Sequence, residues 1–169
     1  MKTFYILRHA KAEPSNSTIE DIDRNLAVRG REACETVGKY MKAKQYAPEF
    51  VLCSSANRTR ETFELVMKAA RLTPAHEFAK SIYMATADEI LHQLHAADDN
   101  FKSLMVVGHN PGMHHLALIM AQPMSSSLHA TLELKYPTAA LTVLRFADHY
   151  WKDILPGSGE LLDFMTPAD

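Results

Sequence analysis

The chain has 169 residues, 47% of them hydrophobic, a length and composition that suit a single domain, residues 1–169, with a substantial core. Its formal net charge of −2 argues against a nucleic-acid binder that relies on a general basic field, and no apolar run is long enough to cross a bilayer. A signal peptide is not expected, because the first apolar run breaks at Arg8, and the two cysteines, Cys34 and Cys53, form no metal-type pair, so a cytoplasmic protein with reduced thiols is predicted.

The apolar run Phe4-Tyr5-Ile6-Leu7 predicts a first strand over residues 3–8 that stops against Arg8 and His9. Residues 15–27 are polar and irregular and read as a loop. Gly30 precedes a helix through "REACETVGKYMKAK", where Ala33, Val37, Tyr40 and Met41 recur at helical spacing. "FVLCS" is a second strand near 50–54, and "RTRETFELVMKAAR" a second helix with Phe63, Val66, Met67 and Ala70 on one face. A short piece around Phe78 reads as a sheet-edge strand. "TADEILHQLHAA" opens with Thr86 as N-cap and Glu89 three residues on, a capping box. "SLMVVGHNPG" is a strand meeting a polar turn, followed by the helix "MHHLALIMAQ". No element is predicted between that helix and "ALTVLRF", which together with "GELLDFM" makes a last pair of strands around the turn "LPGSG". Alternating strands and helices predict an α/β fold: a mostly parallel central sheet flanked by helices on both faces, with right-handed crossovers and an antiparallel C-terminal strand pair.

In a parallel sheet the strands end on one edge, where ligands collect. Here the first ends in Arg8-His9, the second runs into "SSANRTRET" with Arg58 at the head of a helix, and the third ends in Gly108-His109. Each residue alone has an ordinary reading as a loop histidine, a solvated helix cation or a turn hydrogen bonder. Together they bring two imidazoles and two guanidiniums to one edge beside helix N-termini, without a carboxylate cluster for a metal. Such a set suits a phosphate. A neutral imidazole is nucleophilic near pH 7, and the guanidinium fork grips phosphoryl oxygens in a way lysine cannot copy. His109, protonated beside the phosphate, would add a charge-assisted donor. No metal and no cofactor are expected. Lys11 reads as a solvated rim residue, His114 with His115 and His92 with His95 as non-ligand histidines, and Tyr150 with Trp151 as packing.

"LRHA", "SSANRTRET" and "VVGHNPG", in this order, resemble the histidine phosphatase superfamily, which includes the phosphoglycerate mutases. "RHAK", "DRNLAVRG" (Asp23 to Gly30), "GHNPG" and the closing "PGSGELLDF" are most similar to the SixA-type phosphohistidine phosphatases. The resemblance covers nearly the whole chain. It implies a phosphoglycerate mutase-like fold, a phosphate pocket of Arg8, Arg58 and His109, and His9 as the residue that becomes phosphorylated. Ala10 stands where much of the superfamily has glycine, as in the RHAK-type subgroup, and Asn25 where many relatives have proline. Mutases and acid phosphatases of the superfamily use a carboxylate from mid-chain as proton donor. The matching stretch "KSIYMATADE" offers none before Asp88, and Glu77 is the other candidate.

The expected function is therefore a metal-independent phosphatase working through a phosphohistidine intermediate, with phosphohistidine on a partner protein as substrate. Little chain remains for a lid over a small metabolite, and an ester leaving group needs a proton donor that cannot be placed. The alternatives are a phosphatase or mutase acting on small phosphate esters, and a catalytically silent phosphate-binding module, in which His9 would have no task. Neither nucleic acid nor membrane is an expected partner.

Overall fold

A computed structural model of the chain describes residues 1–167. Six strands form one sheet in the order β3-β2-β4-β1-β5-β6. They are β1 (Lys2–Arg8), β2 (Phe50–Ser54), β3 (Ala75–Ala79), β4 (Ser103–Gly108), β5 (Leu141–Phe146) and β6 (Glu160–Met165). The helices are α1 (Val28–Lys44), α2 (Asn57–Ala70), α3 (Ala87–His95), α4 (Gly112–Met120) and α5 (Ser127–Leu134).

The continuous apolar runs of the central strands follow from burial on both faces. Phe4 and Ile6 of β1, Leu104 and Val106 of β4, and Leu144 and Phe146 of β5 pack with α3, α4 and Trp151. Their neighbours Tyr5, Leu7, Met105, Val107 and Val143 face the other way, against Val37 and Met41 of α1 and Phe63 and Val66 of α2. The capping box is present: Glu89 N–H donates to Thr86 Oγ1 (3.2 Å) and Thr86 N–H to Glu89 Oε1 (3.1 Å). Trp151 is buried as core, its Nε1–H donating to Phe101 O (2.9 Å), but Tyr150 is exposed rather than packed. No helix among the described residues is long and apolar enough to cross a membrane.

The α/β fold with its mostly parallel sheet and antiparallel C-terminal strand pair is as expected; one expectation needs correction and one an addition. Helix α1 begins two residues before Gly30, which lies inside its first turn. A Cβ there would stand 2.1 Å from Lys11 O, so this glycine lets the helix close on the backbone beyond β1 and does not mark a boundary. The antiparallel part of the sheet is also larger than the last strand pair. β1 pairs in parallel with β4, β4 with β2, and β2 with β3, but β5 runs antiparallel to β1 as well as to β6. The cause is α5, which was not predicted. One helix, α4, would carry the chain away from the edge where β4 ends. A second helix brings it back, so β5 enters where β1 leaves, with Leu141 opposite Leu7.

Candidate functional site

The parallel pairing places the ends of β1, β2 and β4 side by side, Arg8 opposite Gly108 and Cys53 opposite Val107. His9 follows β1, His109 follows β4, and Arg58 is the second residue of α2 after β2. The structure thus brings together the four residues expected at the strand ends. The rings of His9 and His109 are 5.4 Å apart, and both histidines and Arg58 are buried.

His9 is fixed by main chain. Its N–H donates to Gly108 O (3.0 Å), its carbonyl accepts from Ala139 N–H (3.0 Å), and Nδ1 lies 2.7 Å from Ala10 O. A carbonyl only accepts, so Nδ1 carries the hydrogen and Nε2 keeps its lone pair. Thr62 Oγ1, which donates to Arg58 O (2.6 Å), accepts from Ala10 N–H (3.0 Å), joining the His9 turn to α2. Arg8 reaches from the end of β1 to donate through Nη1 to Tyr136 O (2.9 Å), an oxygen that also accepts from Asn110 Nδ2 (2.9 Å). His109 Nε2 lies 2.7 Å from Ser54 Oγ at the end of β2.

Arg58 is held by a residue that was not singled out from the sequence. Its Nη1 donates to Asp21 O (2.7 Å) and its Nη2 to Asp21 Oδ2 (2.9 Å), and the Tyr83 hydroxyl donates to the same carboxylate oxygen. Asp21 sits in a one-turn helix, Asp21–Asp23, inside the stretch read as an irregular loop. Arg24 closes on its other oxygen (3.0 Å). Tyr83 also presents its ring edge-on to His109, with centroids 5.3 Å apart. An acidic residue three positions before Arg24 was the available signal for Asp21. Nothing local marks Tyr83.

Charge explains the protonation states. Burial, then the Arg8 and Arg58 guanidiniums, push His9 down to about 4, against the hydrogen bond its Nδ1–H donates to Ala10 O. Burial, then His9 and Arg58, push His109 down to about 3, so in the free site it is neutral at pH 7, whereas the imidazolium expected from the sequence belongs to the site with phosphate bound. The cation it was expected to be needs the anion to be present first. Asp21 goes the other way, held at about 2 by the Tyr83 hydroxyl and Arg58. Three buried nitrogens, Arg8 Nε, Arg58 Nε and His109 Nδ1, have no hydrogen-bond partner among the described residues. Buried polar groups left so are costly, and an anion with several acceptor oxygens would satisfy three such groups at one site.

The two proton-donor candidates lie elsewhere. Glu77 is exposed on edge strand β3 and lines an apolar cavity of about 410 Å³ under α3, together with Phe4, Phe50 and Leu104. Glu77 is the middle residue of β3, which β2 and β4 separate from β1 and His9. Asp88 is exposed in the first turn of α3, in a shallow depression with His92 and Gln93. His95 Nε2 is taken by Ile154 O (2.8 Å) and His114 Nε2 by Leu132 O (2.7 Å). Among the described residues no three His, Cys, Asp or Glu side chains stand where they could hold a metal ion.

The sequence model of the histidine phosphatase superfamily (branch 1) matches residues 4–79, which include Arg8, His9 and Arg58. An uncharacterised protein of Mycobacterium tuberculosis is 32% identical over 163 residues, covering 95% of this chain and 99% of its own. Among solved structures, a candidate SixA phosphohistidine phosphatase from Agrobacterium tumefaciens superposes with a TM-score of 0.82 at 29% identity, over 98% of both chains. The protein histidine phosphatase SixA solved with tungstate superposes at 0.78 and 19% identity, over 98% of this chain and 97% of that one, a likeness of fold.

Proposed function

The chain belongs to the histidine phosphatase superfamily, and on that premise we propose that it dephosphorylates phosphohistidine on a protein through a phosphorylated His9. The observation that carries this reading is the unpartnered trio Arg8 Nε, Arg58 Nε and His109 Nδ1 around an imidazole whose Nδ1–H is already committed. The related SixA structure holds tungstate, a tetrahedral oxyanion like phosphate, which agrees with an anion pocket in this fold.

In the first step His9 Nε2 forms a bond to phosphorus as the substrate's P–N bond breaks. The departing imidazole keeps the bonding pair and leaves neutral if its other nitrogen is already protonated. In the second step water forms the new P–O bond, the His9 P–N bond breaks, and inorganic phosphate is released. The equatorial oxygens accept from Arg8, Arg58 and His109, whose placement and charge do most of what phosphoryl transfer asks of a protein. A bound dianion favours the protonated form of His109, which then donates from Nδ1 while Nε2–H donates to Ser54 Oγ.

The leaving group separates this reading from one on small phosphate esters. An alkoxide needs a proton as it departs, and the carboxylate closest to the pocket by hydrogen bonding, Asp21, is ionised from about pH 2 upward. An imidazole already protonated on its other nitrogen departs neutral, with no proton donor needed at the bond that breaks. The decisive measurement compares kcat/KM for a phosphohistidine peptide, a phosphoserine peptide and a sugar phosphate. Preference for phosphohistidine supports the proposal. Equal or higher efficiency on the esters rejects it and calls for a proton donor among Asp21, Tyr83, Glu77 and Asp88.

A further inference from the structure

We propose that a second, basic pocket on the same sheet edge receives acidic side chains flanking the phosphohistidine of a substrate protein, an inference that rests on the function proposed above. The pocket is a cavity of about 280 Å³ whose lining includes Lys11, Arg29, Lys135, Glu32, Thr138 and Thr166. Topology puts it beside the phosphate site. β5 enters at Leu141 opposite Leu7, and β6 ends at Met165 opposite Leu141, so the segments before β5 and after β6 share the edge where β1 ends. Lys11 is two residues past His9, within about 7 Å between α-carbons. Thr138 precedes Ala139, whose N–H is bonded to His9 O.

The cations of this pocket are in no ion pair among the described residues. Arg24, Arg31, Lys39, Arg58 and Arg145 all form ion pairs with carboxylates. Lys11, Arg29 and Lys135 form none with any described residue, although the chain as a whole carries a net charge of −2. Among the described lining residues, three cations against the single carboxylate of Glu32 leave an excess of positive charge, to which the uncapped N-terminus of α1 adds its dipole.

The backbone beneath these side chains is fixed by the same contacts that fix the phosphate site. Lys11 O accepts from Ala27 N–H (2.9 Å) under the close approach of Gly30, and Tyr136 O, next to Lys135, accepts from both Arg8 and Asn110. A peptide advances about 3.3 Å per residue, so a carboxylate two or three positions from the phosphorylated histidine reaches this pocket while the phosphoryl group sits at His9. Hydroxyls of Thr138 and Thr166 supply further donors.

The test compares two phosphohistidine peptides, one with aspartates two and three positions from the histidine and one with asparagines there. The wild-type protein and the Arg29→Glu/Lys135→Glu and Arg29→Ala/Lys135→Ala variants are assayed on both. Wild type should favour the acidic peptide roughly tenfold in kcat/KM, carried by KM and shrinking with added salt. The alanine pair should erase the preference and the glutamate pair reverse it. Equal rates on both peptides in wild type, or a preference that persists in the glutamate pair, overturn the pocket and leave the proposed function standing. Failure to turn over either peptide overturns the proposed function itself. A small bisphosphate ester that outpaces its monophosphate, with the advantage lost in the variants, would assign the pocket to a second phosphate and so also reject this inference.

Discussion

His9 and Arg58 stand on one sheet edge but are held there by different means. His9 is locked by backbone: its N–H, its carbonyl and its Nδ1 all engage main-chain groups of β4, the segment before β5, and its own turn. Arg58 is locked by the side chain and carbonyl of Asp21, a half-exposed residue in the polar loop after β1. Removing the atoms that fix His9 would mean refolding the sheet edge. Removing the carboxylate that helps to fix Arg58 takes one substitution. The proposed nucleophile is therefore rigid by construction, while the arginine proposed to grip the anion depends on a carboxylate already bonded to its guanidinium.

The largest effect should come from the rigid half. His9→Ala leaves the anion donors in place and removes the atom proposed to take the phosphoryl group, so turnover should fall to background, by at least about a thousandfold. Rapid quenching of wild type should trap an acid-labile, base-stable phosphoryl group on His9. Undiminished turnover in the variant would end the covalent mechanism. Chelators should leave wild-type activity unchanged and tungstate should compete with substrate; activity lost in EDTA and restored by a divalent ion would contradict both.

Arg58→Lys tests the other half at its core. Charge is kept, but a lysine cannot satisfy both Asp21 and an oxyanion, and loss of one such donor costs on the order of 3 kcal/mol, roughly a hundredfold in rate. The lysine variant should therefore be nearly as slow as Arg58→Ala. Retention of most activity would make Arg58 a structural partner of Asp21 and nothing more.

The same contrast governs what could be read from the residues. His9, Arg58 and His109 were legible because each follows an apolar run whose end fixes its place, and parallel strands put those ends together. Asp21 and Tyr83 reach the site through side chains from segments without periodicity, the loop at 15–27 and the turn after Ile82, so no local pattern announces them. α5 was missed for a related reason. It is a short helix of eight residues with only His129 and Leu132 buried, too little apolar face to show a period, yet it sets the direction of β5. The neutral state of His109 was illegible as well, since it depends on burial and on neighbours that are distant in sequence.

Acid should act on both halves through the histidines. His9 and His109 titrate at about 4 and about 3 when folded, against about 6.5 unfolded, so the unfolded chain binds more protons between those values. Stability is complete above pH 6.5, falls as pH drops from there toward the folded pKa values, and levels off below them. Asp21, depressed from 3.8 to about 2, contributes in the same direction only below that range. Urea melts at pH 7.5, 6, 5 and 4.5 should show the decline, and His109→Asn should make it shallower. A flat profile would mean that the two rings are far better solvated than their burial implies.

The smallest and most discriminating effect concerns Asp21 as a positioning residue. In Asp21→Asn the backbone carbonyl still holds Arg58 Nη1, but Nη2 loses its ionised partner and Tyr83 faces a neutral amide in place of the carboxylate that raises its phenol pKa. Activity should fall about tenfold, well short of Arg58→Lys, because the guanidinium remains and only its orientation is loosened. Activity alone would not separate this from general damage to the loop, so the readout is paired with the phenol. The ultraviolet titration step that is present in wild type and absent in Tyr83→Phe should move to lower pH in Asp21→Asn. Asp21→Glu, which restores the charge, should return that step toward its wild-type position and recover part of the rate. If the rate falls while the Tyr83 step stays in place, Asp21 does not act through this carboxylate contact. If the step moves and the rate is unchanged, Arg58 needs no arm to hold it, and the side-chain half of the site is as rigid as the backbone half.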